Sequence, residues 1–390
     1  MRYDILIRRG EVIDPSQNLH AVRDLAILDG RIAAVEPALP QAEAPHVVDA
    51  RGLLVTPGLI DLHVHVYRDH IPLGLDPDPL CPAGGVTTML DTGSAGPANF
   101  DGFRRDVVDR ARTRILGLVN LSRIGLVAAN LGELMDRRYA DPEGVIRTLR
   151  RHADVAVGVK IRAGKHIIGN GEQGWANFRD AVRAARESGT WLMVHIGECP
   201  MSLPEMAPYL QAGDCITHCF KGGSTRVLDD ADRIYPEMRD AAARGVVFDV
   251  GHGYGSFRWQ VAEAALAQGF LPSTISTDLH AMNLHGPVYD MPTTMSKFLL
   301  LGLTLEQVVE MSSTRPAAVL GRSGELGTLR VGAVADVAVL ERREGRFRFT
   351  DSYRQERVGR ELLTAAATVR GGELVPGGGG LRMRHLTDEE

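Results

Sequence analysis

The sequence predicts an α/β protein: a (β/α)8 barrel with a small β-sandwich built from both chain ends. Its middle alternates short apolar runs with helix-like stretches, the pattern of a parallel sheet whose strands are joined through helices. Both ends instead show short strands broken by turn residues, and termini commonly lie close enough to fold together. One apolar run, Gly58-Leu59-Ile60-Asp61-Leu62-His63-Val64-His65, also ends in two histidines one residue apart.

The expected N-terminal part of the sandwich spans residues 1–55. Its strands are 4–7, 10–14, 24–28 and 31–35, with Asp29-Gly30 between the last two as a hairpin signal. The barrel is expected over 56–330. Its eight candidate strands are 59–66, 86–91, 115–120, 156–161, 191–196, 214–218, 246–250 and 274–278. Segment 175–188 is amphipathic and is followed by Gly189, a helix stop. Eight such units match a barrel in size. A doubly wound sheet competes, but no GxGxxG opens a helix. The sandwich resumes over 331–376, with strands at 336–340, 346–349 and 367–370 and a Gly371-Gly372 turn. The tail, 377–390, is rich in glycine and polar residues and reads as flexible.

Of the 390 residues, 44% are hydrophobic and 24% charged, as in globular proteins. The net charge of −5 lacks the basic footprint of a nucleic-acid binder. No apolar run approaches a membrane span, and no secretory signal is visible. The four cysteines, Cys81, Cys199, Cys215 and Cys219, show no CxxC pairing. They read as small buried thiols in a reducing, cytoplasmic setting. A small-molecule substrate is therefore expected, with no nucleic acid and no membrane; a homo-oligomer is left open.

In a strand, residues i and i+2 share a face, so His63 and His65 project together as half of a metal site. Barrel active sites lie at the C-terminal strand ends. Those ends carry Lys160 on strand four, His195 on strand five, His218 on strand six and Asp278 on strand eight. Each histidine alone reads as a hydrogen-bonded core residue. Together they are hard to explain as packing, because each buried polar group needs a partner. Lys160 either pairs with a carboxylate such as Asp278 or is carboxylated by carbon dioxide to an anion able to bridge two metals.

These residues, with Ala83-Gly84-Gly85-Val86-Thr87-Thr88, Ser312-Ser313-Thr314-Arg315-Pro316-Ala317 and the segment Gly324 to Asp336, resemble the amidohydrolase superfamily of metal-dependent hydrolases. Segments 194–198, 217–220 and 276–280 look closest to its dihydroorotase-like group, which includes acetyl-mandelate and N-acyl-amino-acid deacetylases. The resemblance implies two divalent ions, zinc with manganese or cobalt as substitutes. One would be held by His63, His65 and Asp278, the other by His195 and His218, with N6-carboxylysine at Lys160 bridging them. It implies hydrolysis of an acetyl amide or ester of a small carboxylate-bearing substrate by a metal-bound hydroxide. Asp278 then moves the proton, or serves as a ligand only. Arg162, on the Lys160 face, either pairs a substrate carboxylate or makes an ordinary salt bridge. His280 either donates to substrate or orients Asp278, and Tyr254 stands in a glycine-rich loop that lines the pocket or only turns.

A cyclic-amide hydrolase is the alternative. A dihydroorotase would want an arginine and asparagine pair just after the HxH, where this chain has Val66-Tyr67-Arg68-Asp69. A catalytically silent scaffold would have lost ligands, and none of the six is missing.

Overall fold

The computed structural model describes residues 1–376; the tail expected to be flexible, 377–390, lies outside the described residues. Five strands open the chain: β1 (Ile5–Asp14), β2 (Leu19–Leu28), β3 (Arg31–Glu36), β4 (His46–Asp49) and β5 (Leu54–Pro57). The two segments expected at 4–7 and 10–14 are one strand, β1, whose pairing with β2 shifts register between Ile7 and Gly10. A bulge absorbs the irregularity that the glycine signals. Asp29 and Gly30 form the β2–β3 hairpin with φ of 51° and 71°, the positive values that a tight type I′ turn requires.

Seven strands follow: β6 (Leu59–Val64), β7 (Val86–Thr92), β8 (Arg114–Asn120), β9 (Ala156–Arg162), β10 (Trp191–His195), β11 (Cys215–Thr217) and β12 (Val247–Asp249). They form one curled parallel sheet in chain order. Every residue of β6 and β7 is buried, the polar Asp61, His63, Thr87, Thr88, Asp91 and Thr92 included, as in a parallel sheet covered on both faces. The helix Gly171–Ser188 covers the sheet with Phe178, Ala181, Ala184 and Ala185, and Gly189 follows its last residue.

The eighth expected strand, 274–278, is not a ladder strand. It makes a single parallel bridge at Thr274 with Asp249 of β12, and the next residue, Leu279, bridges Val64 of β6. This segment therefore links the two outer strands of the curled sheet. Its hydroxyls bond alongside its backbone: Thr274 and Ser276 donate to Asp249, each at 2.7 Å, and Thr277 donates to Asp61 at 2.5 Å, while the Thr274, Ser276 and Thr277 carbonyls accept from the N–H groups of Val250, His252 and Gly253.

The chain ends with β13 (Val337–Thr350), β14 (Glu356–Arg370) and β15 (Glu373–Pro376). These join the opening strands in one eight-stranded sheet, ordered β15-β14-β13-β5-β1-β2-β3, with β4 also on β1. Alternating residues feed two apolar clusters: Ile5, Ile7, Leu25 and Ile27 in one, Leu6 and Ala26 in the other. Strand β5 lies between β1 and β13, and β6 starts two residues after it ends. All four cysteines are free, and Cys81, Cys215 and Cys219 are buried. Among the described residues no helix is long and apolar enough to cross a membrane.

Among the surface contacts between the end sheet and the rest is a histidine held by two carboxylates. His20 of β2 lies 2.7 Å from Glu11 and 2.6 Å from Glu306, which is in the helix Leu305–Ser312. The Glu11 hydrogen bond is the main cause holding the imidazole above its ordinary pKa of 6.5. A pKa raised on folding adds stability that is complete below 6.5 and is lost as pH rises through the folded value. Wild type should thus lose more stability than His20→Gln between pH 6 and pH 8. The differential should be under about 1 kcal/mol for so exposed a pair, read by urea unfolding at both pH values.

Candidate metal centre

The strand ends of the curled sheet bring His63, His65, Lys160, His195, His218 and Asp278 together. Lys160 Nζ is 3.2 Å from His63 Nε2. Asp278 Oδ1 is 3.4 Å from the Nε2 atoms of both His63 and His65. His218 Nε2 is 2.8 Å from His195 Nδ1, and the His63 and His218 rings stand 5.0 Å apart. One ligand-type atom from each of His63, His218 and Asp278 falls within 4.8 Å of the others. All six except His195 are buried.

Surrounding groups fix which ring nitrogens are free. The buried Asp249 carboxylate accepts from Thr217 at 2.7 Å, so the Thr217 oxygen accepts from His63 Nδ1 at 2.8 Å. The Gly251 carbonyl accepts from His218 Nδ1 at 2.6 Å. Both rings therefore carry their proton on Nδ1 and turn an unprotonated Nε2 inward, as metal-ligating histidines do. His65 Nδ1 meets the Ser94 hydroxyl at 2.9 Å. Burial, the leading cause throughout, lowers His65 to about 3 and His218 to about 4, and holds His63 and His195 well below the usual range. Neutral imidazoles with converging lone pairs beside a carboxylate suit a cation, so the donor set fits a divalent metal.

Two ligand-type residues sit in strained backbone. His218 has φ of 73° and Asp278 of 50°, left-handed conformations that cost about 1–2 kcal/mol each. Such outliers persist where the surroundings over-determine them; here the turns carry both side chains into the cluster. Gly93, with φ of 80°, backs Lys160: a Cβ there would lie 2.7 Å from Lys160 Cβ. Gly93→Ala is expected to cost about 1–3 kcal/mol of stability and to lower kcat/KM, read by thermal unfolding and steady-state kinetics.

Comparison with known proteins places this geometry. The amidohydrolase family profile matches residues 297–376. A deacetylase of Agrobacterium fabrum is 39% identical over 326 residues, covering 83% of this chain and 79% of that protein. The chain belongs to the amidohydrolase superfamily. Two solved structures agree. One described as an adenine deaminase has 33% identity and a TM-score of 0.89, covering 96% of this chain and all of that one. One described as a dihydroorotase has 34% identity and a TM-score of 0.88, covering 97% and 99%. Within the superfamily this is a deacetylase- and dihydroorotase-like member, a hydrolase acting on C–N bonds.

The remaining expected residues of this amidohydrolase fare differently. Arg162, the last residue of β9, donates to buried Glu133 at 3.3 Å, so the salt-bridge alternative is present. His280 is buried, with its ring 6.3 Å from that of His65. The Met282 N–H donates to its Nδ1 at 3.2 Å, which leaves Nε2 as the protonated nitrogen. Tyr254 is 47% exposed. Arg68, in the loop after β6, donates to Asp76 at the surface.

Sequence reasoning missed Asp249, Thr217, Ser94 and Glu133. Asp249 closes β12 and was readable there, since a carboxylate at the end of an apolar strand obeys the same rule that found His195. Glu133 lies in an aperiodic loop and leaves no such signal.

Proposed function

We propose that the chain is a binuclear metal-dependent deacetylase that hydrolyses an acetyl amide or ester of a small carboxylate-bearing molecule. The observation that carries the reading is the convergence of six ligand-type side chains, with His63 and His218 locked as inward Nε2 donors. His63, His65 and Asp278 would hold one ion and His195 and His218 the other, with Lys160 between them as N6-carboxylysine. Zinc suits the imidazole and carboxylate set, with manganese or cobalt as substitutes. Such ions supply an acidified water and polarise a carbonyl. Asp278 takes a proton from the attacking water and delivers it to the leaving amine or alcohol. Thr217, Asp249 and the Gly251 carbonyl keep the imidazoles oriented during turnover. The framework reads as a (β/α)8 barrel over 56–330, closed through 274–279, beside a small β-sandwich of 1–55 and 331–376.

The deacetylase named above supports the acetyl substrate, and the solved dihydroorotase supports a second reading, cyclic amide hydrolysis. A turnover screen of N-acetyl amino acids, acetylated 2-hydroxy acids, dihydroorotate and hydantoins separates them. Acetate release supports the first, ring opening the second. No turnover of any acetyl compound would rule out the deacetylase reading.

A further inference from the structure

Arg162 is a largely buried guanidinium with a single partner. Its side chain is 16% exposed, and among the described residues Glu133 Oε2 is its one hydrogen-bond acceptor. Only Nη1 is engaged, so Nε and Nη2, the edge that grips carboxylates as a fork, are left over. Arg162 stands opposite His195 in the parallel pairing of β9 and β10, and the next N–H, that of Ala163, donates to the His195 carbonyl at 2.9 Å. Arg162 therefore belongs to the metal cluster's surroundings rather than to the outer surface. His280, whose ring is 6.3 Å from that of His65, adds its protonated Nε2 to the cluster's surroundings.

Glu133 is the less expected half. Its carboxyl is completely buried, and its Oε1 has no partner among the described residues. An under-satisfied buried carboxylate is costly unless something requires it. The loop that carries it is held rigidly: the Leu134 N–H donates to the Ile167 carbonyl at 3.2 Å, and Asn177 Nδ2 donates to the Leu134 carbonyl at 3.3 Å. A fixed carboxylate on one arm of the guanidinium aims the other arm.

We propose that Arg162 and His280 form a carboxylate-binding subsite beside the metal cluster, and that Glu133 is the positioning residue that aims Arg162. The proposal deepens the deacetylase reading and rests on it for the substrate class. Glu133 also offsets the resting charge of Arg162, so a bound carboxylate shares a partly neutralised fork.

The test titrates the full-length zinc-loaded protein by calorimetry with N-methanesulfonylglycine, whose sulfonamide resists hydrolysis, and with its carboxamide. The acid is expected to bind about tenfold or more tightly than the amide. Arg162→Met should bring the two within about twofold, and Arg162→Lys should keep part of the preference. Glu133→Gln retains an acceptor but removes the opposing charge, so the acid alone should tighten, by about threefold. A purely structural Glu133 would weaken both probes alike. Equal binding of acid and amide by wild type, a preference that survives Arg162→Met, or parallel shifts in Glu133→Gln would overturn the proposal. If Glu133→Gln does not fold, the two Arg162 variants still decide the subsite. Arg162-dependent acid binding without acetate release from any acetyl compound would leave the subsite standing and remove the deacetylase reading. Acetate release with Arg162-independent binding would do the reverse.

Discussion

Asp278→Asn is expected to lower kcat by about 10²–10⁴-fold while metal content stays within twofold of wild type. Asparagine is nearly isosteric and keeps an oxygen for a metal, but it cannot accept a proton from the attacking water. The two roles of Asp278 are thereby separated. The measurement pairs steady-state kinetics with elemental analysis of the same preparation. A variant that loses metal and regains full activity in excess zinc would reduce Asp278 to a ligand. Its backbone adds weight to the substitution: φ of 50° is tolerated by asparagine as well as by aspartate, so the change tests chemistry rather than folding.

The second large effect is expected at Lys160. Lys160→Met preserves volume and removes the amine. Metal content should fall below that of wild type, and kcat by at least the roughly 10–100-fold that losing a mere outer partner of a metal site costs. Burial lowers the amine to about 8, so about a tenth is neutral at pH 7 and about half at pH 8. Only the neutral amine reacts with carbon dioxide. Reactivation of metal-stripped enzyme by zinc at a fixed concentration of dissolved carbon dioxide should therefore run faster at pH 8 than at pH 7. A carbamate carbon signal from isotope-labelled bicarbonate should appear in wild type and be absent in Lys160→Met. Equal reactivation rates at both pH values would count against carboxylation.

Much of this was legible in the sequence, for physical reasons that differ by element. Strands β6 to β10 are largely buried on both faces, and that burial shows in the sequence as short stretches rich in Val, Ile and Leu. The six ligand-type residues were found because curled parallel sheets collect functional groups at one set of strand ends. The eighth segment looked like a strand because its residues are β-formers. In the structure its carbonyls do accept backbone N–H groups of residues 250, 252 and 253, but its hydroxyls also reach Asp249 and Asp61 and it forms only an isolated bridge to β12, an irregularity that periodicity does not report. The single strand β1 reads as two in the sequence, 4–7 and 10–14, because Arg8 and Arg9 interrupt the apolar pattern where the bulge lies. Glu133 stayed invisible because its partner, Arg162, lies far away in sequence and its loop has no period.

The pairing of β5 has a consequence for biosynthesis. That strand immediately precedes the one bearing His63, and one of its two edges is filled by β13, which leaves the ribosome only after the whole curled sheet has been made. Until then the nascent chain carries an open edge beside the segment that bears His63 and His65, the kind of edge that invites pairing with a neighbouring chain. Its native closure is among the most non-local contacts in the molecule and so among the slowest to form. A chain cut short before Val337 would keep all six clustered residues, from His63 to Asp278, and still lack the strand that covers the β5 edge.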